Sequence, residues 1–157
     1  MKKIVLARID DRLIHGQVMT QWVRARHFNT IEIVDDAVRA DAFLTQVTTM
    51  AVPKEFPPLV HSVDEAAAYL LGEPKAEEIL LLVKFPATIE RLVEKGVELT
   101  ELNVGGIGIK PGREKIYRNI AVSADEKEIF KRLMQKGMDV FIQMVPTDTA
   151  INIEKLI

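Results

Sequence analysis

The chain has 157 residues, of which 48% are hydrophobic, with a formal net charge of -2 and no cysteine. This balance argues against a nucleic-acid-binding domain, which would be strongly basic, and it excludes a disulfide framework and weakens a zinc site. No apolar run approaches the roughly 20 residues that span a bilayer, and the first residues lack the features of a signal peptide. We therefore expect one cytoplasmic domain over residues 1–157.

Short apolar runs alternate with amphipathic patterns along the whole chain. In chain order, the predicted elements are a strand over 4–9, a helix over 16–26, a strand over 31–34, a helix over 40–51, a short strand over 59–60, a helix over 63–71, a strand over 78–83, a helix over 86–95, strands over 99–104 and 115–122, a helix over 124–136 and a strand over 139–145. Residues 105–108 and 111–112, rich in glycine, are predicted to form a loop.

This alternation predicts the fold class. Strands separated by helices are typical of βαβ units with right-handed crossovers. Residues 79–83 read Ile-Leu-Leu-Leu-Val, the pattern of a strand that is buried on both faces. The sequence therefore predicts a single-domain α/β fold with a mostly parallel central sheet and helices on both faces.

The residues from Arg8 to Gln17 form the most informative segment, because they hold two arginines, two aspartates and a histidine between a predicted strand and a predicted helix. Ligands of open α/β sheets bind at the carboxyl ends of the strands. His15 lies where the helix begins, and the free amides of Gly16 and Gln17 would favour an anion there. A neutral imidazole is a nucleophile, so a covalent phosphohistidine at His15 is chemically reasonable.

The charged neighbours of His15 suit the same chemistry. Arg8 and Arg12 could hold phosphoryl oxygens with their planar donor forks. Asp10 or Asp11 could hold one nitrogen of the His15 ring and leave the other free to attack. The alternative is structural: the histidine starts a helix and the aspartates cap turns or form solvated ion pairs. The clustering of all five residues favours function.

Three other segments follow predicted strands and are expected at the same edge of the sheet, namely Asp35-Asp36, Lys84-Phe85-Pro86 and Asn103 to Gly108. The last does not match a dinucleotide-binding fingerprint, because its glycines are adjacent and no helix follows. A metal at Asp35-Asp36 is disfavoured, and His27 and His61 are expected to be structural. No cofactor or metal is expected.

With these residues in view, the chain resembles the enzyme IIB components of the mannose/sorbose/fructose family of the bacterial sugar phosphotransferase system. The resemblance covers essentially the whole length. The residues that carry it are Arg8-Ile-Asp-Asp-Arg-Leu-Ile-His-Gly-Gln-Val18, Asp35-Asp36, Asn103-Val-Gly-Gly106 and Val145-Pro-Thr-Asp148.

The resemblance implies that His15 accepts a phosphoryl group from a phosphohistidine of a IIA protein. The group then passes to a sugar that enters through the membrane components IIC and IID, so the chain would be a cytoplasmic phosphotransferase that associates peripherally with this permease. Arg8 and Arg12 correspond to the family's flanking arginines and Asp10 to its orienting aspartate. A homodimer, the sugar, and a separate or fused IIA all stay open.

Two other functions also stay open. A non-catalytic domain that senses a small anion would bind phosphate reversibly at Arg8 and Arg12 without a covalent adduct. A phosphatase-like hydrolase would turn over simple phosphate esters without a partner, although no second histidine lies near the motif as a proton donor.

Overall fold

The computed structural model describes residues 1–157. Its strands are β1 (Lys3–Asp10), β2 (Thr30–Val34), β3 (Pro58–His61), β4 (Glu78–Val83), β5 (Glu101–Gly106), β6 (Glu114–Tyr117), β7 (Ile120–Val122), β8 (Asp139–Ile142) and β9 (Ile151–Asn152). Its helices are α1 (Gly16–Ala25), α2 (Asp36–Ala40), α3 (Ala42–Ala51), α4 (Val63–Leu71), α5 (Pro86–Glu94) and α6 (Ala124–Gln135), followed by a 3₁₀ turn over Ile153–Lys155.

Seven strands form one sheet in the order β3-β2-β4-β1-β5-β8-β9. All neighbouring pairs are parallel except β8 and β9. The loops that follow β2, β4, β1 and β5 therefore leave from adjacent positions along one edge, which we call the carboxyl edge. This arrangement confirms the expected mostly parallel sheet.

Helices cover both faces of this sheet. Helices α4, α5 and α6 bury residues such as Leu70, Leu92 and Phe130 in one core cluster, whereas α1 buries Trp22 in a second. The residues of β4 alternate between the two clusters, since Ile79, Leu81 and Val83 join the first and Leu80 and Leu82 the second. Burial on both sides explains the continuous apolar run of this strand.

The helix predicted over residues 40–51 forms as α3, over Ala42–Ala51, but the prediction missed the short helix α2 that ends at Ala40 just before it. The side chain of Asp41 accepts a hydrogen bond from the backbone N–H of Leu44 at 3.0 Å and so caps the start of α3. An aspartate at this position satisfies an amide that the new helix leaves free. The helix predicted over residues 124–136 is confirmed as α6, which Ser123 and Glu126 start with a capping box.

Three further predictions, from the end of β5 onward, are corrected by the structure. Gly105 and Gly106 belong to β5 and not to a loop. Residues 115–122 do not form one strand, because β6 and β7 pair antiparallel around a turn in which Arg118 adopts a left-handed φ of 29°. The last predicted strand ends at Ile142, and the chain returns as β9. None of the helices combines the length and apolar character needed to cross a membrane.

Candidate functional site at the carboxyl edge

His15 occupies the position that precedes the first turn of α1. Its side chain is exposed and makes no capping hydrogen bond, and the first turn of the helix contains no acidic residue. The backbone N–H groups of a first turn have no partner within their own helix, and the helix dipole is positive there. A methyl group added at Gly16 would meet no atom within 4 Å, so the surface beside this residue is open. This helix start therefore favours an anion.

A cluster of three charged side chains lies at the end of β1. Arg12 donates from Nε to Oδ1 of Asp10 at 3.0 Å and from Nη2 to Oδ2 at 2.9 Å, while the backbone N–H of Arg12 reaches Oδ1 at 3.1 Å. Arg8 donates from Nη2 to Oδ2 of the same carboxylate at 3.2 Å. The side chains of Arg8 and Asp10 are 3% and 1% exposed, whereas that of Arg12 is 39% exposed. Only Arg12 presents substantial surface to the solvent.

The electrostatics of the cluster follow from this geometry. Burial tends to raise the pKa of Asp10, but the hydrogen bonds from Arg12 and the charge of Arg8 outweigh it, so the pKa lies below its ordinary value. Burial lowers the pKa of Arg8 to about 10, although the charge of Asp10 opposes this change. Both groups therefore stay charged near neutral pH.

Two expected roles change in the structure. Asp10 does not hold a nitrogen of the His15 ring, because both of its carboxylate oxygens accept from Arg8 and Arg12. Nor does Asp11, whose carboxylate accepts from the backbone N–H of Gly108 at 2.6 Å. Arg8, expected to hold phosphoryl oxygens, is buried, and its donors are directed at protein acceptors.

Buried polar groups that the sequence analysis did not assign to the site support Arg8. Its Nη1 atom donates to Oδ1 of Asn103 and, at 3.1 Å, to the backbone oxygen of Gln143. Asn103 is fully buried and donates from Nδ2 to the same Gln143 oxygen at 3.0 Å. A side chain at Gly105 would overlap the guanidinium of Arg8, so this glycine makes room for it. The sequence feature that could have revealed this support is the polar Asn103 between Leu102 and Val104, because a polar side chain buried in an apolar strand needs a hydrogen-bond partner.

The loop between β1 and α1 has a defined shape. Leu13 adopts a left-handed φ of 56°, which is uncommon for a residue other than glycine and costs roughly 1–2 kcal/mol. The backbone N–H of Leu13 donates to the backbone oxygen of Asp10 at 2.9 Å, and the Leu13 side chain is buried in the apolar core cluster that contains Trp22. The N–H of Asp11 bonds to the oxygen of Gly106 at 3.1 Å. Packing and hydrogen bonds therefore hold the strained turn that carries the chain from Asp10 to His15.

The remaining predicted positions lie outside this cluster. Asp35 caps α2 through the N–H of Val38, and Asp36 pairs with Arg91 at 2.6 Å. His61 bonds through Nδ1 to the buried Glu32 at 2.6 Å, which supports a structural role.

Exposed apolar residues lie in two of the loops at the carboxyl edge. Phe85 follows β4 and is 38% exposed, and Ile109, shortly after β5, is 72% exposed. The Nζ of Lys110 lies 5.4 Å from the centroid of the Phe85 ring. These loops leave strands on either side of β1, so the carboxyl edge combines cations with exposed apolar area.

Comparison with known protein families shows which family this chain belongs to. Residues 4–157 match the family described as the PTS system sorbose subfamily IIB component. The chain belongs to this IIB family. The family is one of phosphotransferase systems that act on sugars, and the match confirms the resemblance drawn from the Arg8–Val18 motif.

Known relatives and structures agree with this assignment of the IIB chain. It is 40% identical over 159 residues to the PTS system mannose-specific EIIAB component of Escherichia coli K12, covering 98% of this chain but 48% of that protein, about half its length. It is 32% identical over 157 residues, the whole of both chains, to the N-acetylgalactosamine-specific phosphotransferase enzyme IIB component 2 of the same strain.

Among solved structures, the IIBSor domain of the sorbose permease from Klebsiella pneumoniae superposes with a TM-score of 0.91 at 29% identity, covering 98% of this chain and 94% of that one. The manxB structure from Thermoanaerobacter tengcongensis gives 0.89 at 38% identity, covering 99% and 97%. The α/β architecture of this chain is therefore that of IIB domains.

Proposed function

We propose that this IIB chain, as one domain over residues 1–157, carries a phosphoryl group on His15. The donor is a phosphohistidine of a IIA protein, and the acceptor is a sugar held by membrane components IIC and IID at the cytoplasmic face, with no cofactor. The observation that carries the proposal is the position of His15, at an uncapped helix start three residues after the exposed Arg12. The relatives named above are specific for mannose and N-acetylgalactosamine, which supports a sugar as acceptor.

The chemistry requires two displacements at phosphorus. The unprotonated nitrogen of neutral His15 attacks the donor's phosphoryl group, the bond from phosphorus to the donor imidazole breaks, and its electron pair returns to that imidazole. The other nitrogen of the His15 ring releases its proton to solvent, and the donor imidazole takes up one in exchange. The sugar hydroxyl then attacks the phosphoryl group on His15, the bond from phosphorus to His15 breaks with its electron pair returning to the ring, and the proton lost by the hydroxyl is replaced on the His15 ring through solvent. Such transfers depend mainly on positioning and charge stabilisation.

The neighbouring groups supply both requirements. The amides of Gly16 and Gln17 at the start of α1 would donate to phosphoryl oxygens, and preorganised donors of this kind are effective because they need not reorient. Arg12 would hold a further oxygen, since Asp10 already fixes the plane of its guanidinium. Arg8, which is buried, would act indirectly, through its ion pair with Asp10.

Docking of protein partners would use the surroundings of His15. Exposed apolar residues at Phe85 and Ile109, with Lys110 beside them, suit a partner that presents apolar and acidic side chains. Because the donor and the acceptor complex bind in turn, the same surface would serve both.

The test is to incubate the purified chain with phosphoenolpyruvate, the general phosphotransferase proteins and a matching IIA, and to record its intact mass. We expect one phosphoryl group, mapped to His15, only when IIA is present. The variant His15→Ala should gain none, whereas His27→Ala, which removes another exposed histidine, should label as the parent chain does. Labelling that persists in His15→Ala would refute the assignment.

Stability of the adduct separates this function from reversible anion sensing. A phosphoramidate bond should survive dilution and removal of free phosphate but should be lost in acid. Phosphate that is lost on dilution, with no covalent adduct from any IIA, would favour an anion-sensing domain. Hydrolysis of simple phosphate esters without a partner would instead favour a phosphatase.

A further inference from the structure

The cluster at the end of β1 contains more positive than negative charge. Two guanidinium groups, of Arg8 and Arg12, share the single carboxylate of Asp10, so the three side chains carry one net positive charge. The three charged groups differ in how deeply they are buried. Arg8 and Asp10 are almost completely buried, and Arg12 lies above them toward the solvent.

Burying Arg8 at this position has a cost that needs a reason. Removing a guanidinium from water is unfavourable even when it is paired, and an apolar side chain is often as stable at such a site. The chain nevertheless provides Arg8 with the Asn103 amide, the Gln143 oxygen and the space left by Gly105. All of these groups serve to keep one charge beneath Asp10.

The alternative arrangement shows what the buried charge changes. An isolated pair of Asp10 and Arg12 would have no net charge, and the carboxylate would repel a phosphoryl group, which carries a charge of roughly −1.5 to −2 near pH 7. Without Asp10, however, the exposed guanidinium would lose both of the hydrogen bonds that fix it, from Nε and Nη2 of Arg12 to the Asp10 carboxylate.

We propose that Arg8 is a charge-compensating positioning residue: its buried charge offsets Asp10, so that Asp10 can orient Arg12 without cancelling the attraction of Arg12 for a phosphoryl group on His15. The inference rests on the proposed function. It assigns Arg8 a role through Asp10 and Arg12, with no direct contact to the phosphoryl group.

Three other charged side chains of this region have hydrogen-bond partners of their own. Asp11 is partly exposed and accepts from the N–H of Gly108, and its charge is better screened than that of Asp10. Arg113 at the base of the hairpin pairs with Glu126 at 2.8 Å. Asp148 accepts from the N–H of Val145 at 3.3 Å. Asp11 is therefore the matched control, since it is a neighbouring carboxylate that bonds to neither arginine.

The experiment measures the field at the phosphoryl group directly. The purified chain is phosphorylated on His15 with phosphoramidate, which releases ammonia as the new bond to phosphorus forms, or with the IIA system. The pKa of the attached phosphoryl group is then read from its ³¹P chemical shift during a pH titration. A nearby positive charge lowers this pKa, and a nearby negative charge raises it.

Five variants distinguish charge compensation from other roles. Arg8→Met should raise the phosphoryl pKa by roughly 0.5 to 1, as expected when a unit charge several ångströms away is lost. Asp10→Asn should lower it by a similar amount, and the double variant should return it close to the parent value. Asp11→Asn should shift it less than Asp10→Asn does, and in the Arg8→Met background it should not restore the parent value.

Several results would overturn the inference. If Arg8 contacted the phosphoryl group, losing Arg8 would outweigh losing the charge of Asp10, and the double variant would stay well above the parent value. If Asp10 acted only by holding Arg12, then Asp10→Asn would raise the phosphoryl pKa. This second comparison stands even if Arg8→Met does not fold. A chain that forms no phosphohistidine by either route would refute the proposed function itself, whereas a phosphohistidine with an unresponsive pKa would refute only the charge compensation.

Discussion

The pair formed by Glu32 and His61 should make the stability of this protein depend on pH. Glu32 on β2 is fully buried, and its Oε2 atom has no hydrogen-bond partner. Burial raises its pKa to about 8, with a further contribution from the charge of Glu65. Burial also lowers the pKa of His61, while Glu65 and Arg39 act on it in opposite directions. The folded chain therefore favours a neutral carboxyl group beside a neutral imidazole.

The sign of the effect follows from proton counting. The folded chain keeps a proton on Glu32 that the unfolded chain releases above pH 4.5, so Glu32 lowers stability as pH rises to about 8. The unfolded chain binds a proton on His61 below pH 6.5 that the folded chain disfavours, so His61 has the opposite effect there. Above pH 6.5 the opposing effect of His61 fades and that of Glu32 dominates, so at about 1.4 kcal/mol per pH unit the free energy of unfolding should fall by up to about 2 kcal/mol before pH 8.

The assay is urea denaturation, followed through the single tryptophan, buried Trp22, at intervals from pH 6 to pH 9. The variant Glu32→Gln cannot titrate and should lose the fall in stability above pH 6.5. Glu98→Gln, at an exposed glutamate, should keep it. A flat profile for the parent chain, or an equal fall in Glu32→Gln, would refute this account of the buried pair.

Three further changes test the site. Gly105→Ala places a methyl group against the Arg8 guanidinium and should lower the free energy of unfolding by roughly 1–3 kcal/mol in urea titrations; no loss would show that the guanidinium moves freely. Arg12→Lys keeps the charge but loses the planar fork, so phosphoryl transfer from IIA should slow at least several-fold with an unchanged circular dichroism spectrum; unchanged transfer kinetics would argue against the fork. Ile109→Ser should slow phosphorylation by IIA but not by phosphoramidate, whereas Met50→Ser on α3, at a similarly exposed residue, should slow neither, and the reverse order would place docking on α3.

Much of the fold could be predicted because its signals are local. The strand over Glu78–Val83 and the helix over Val63–Leu71 begin and end as predicted, since an unbroken apolar run and a serine cap each mark a boundary. The short helix α2 before Asp41 escaped prediction, because five residues are too few to show a helical apolar period. The turn at Arg118 escaped as well, because a left-handed residue there is not glycine.

The position of His15 was predictable from the sequence, but the contacts among its neighbours were not. The motif placed His15 at a helix start, as the structure does. The support of Arg8 by Asn103 and Gln143 joins residues that are 95 and 135 positions apart in sequence, and no local pattern encodes such pairs. The left-handed turn at Leu13, directly after Arg12, was also unpredicted, because the residue is not glycine.

The hold of Asp10 on Arg12 has a consequence for the reversibility of transfer. Every interaction that stabilises a phosphoryl group on His15 makes its transfer to the next acceptor less favourable. About 1.4 kcal/mol of such stabilisation lowers the equilibrium constant of that transfer tenfold. Two of the donor atoms of Arg12 are already engaged by the carboxylate. If Arg12 holds the phosphoryl group as proposed, a guanidinium that divides its donors in this way would bind the group less tightly than a free one, and the group would leave His15 more readily.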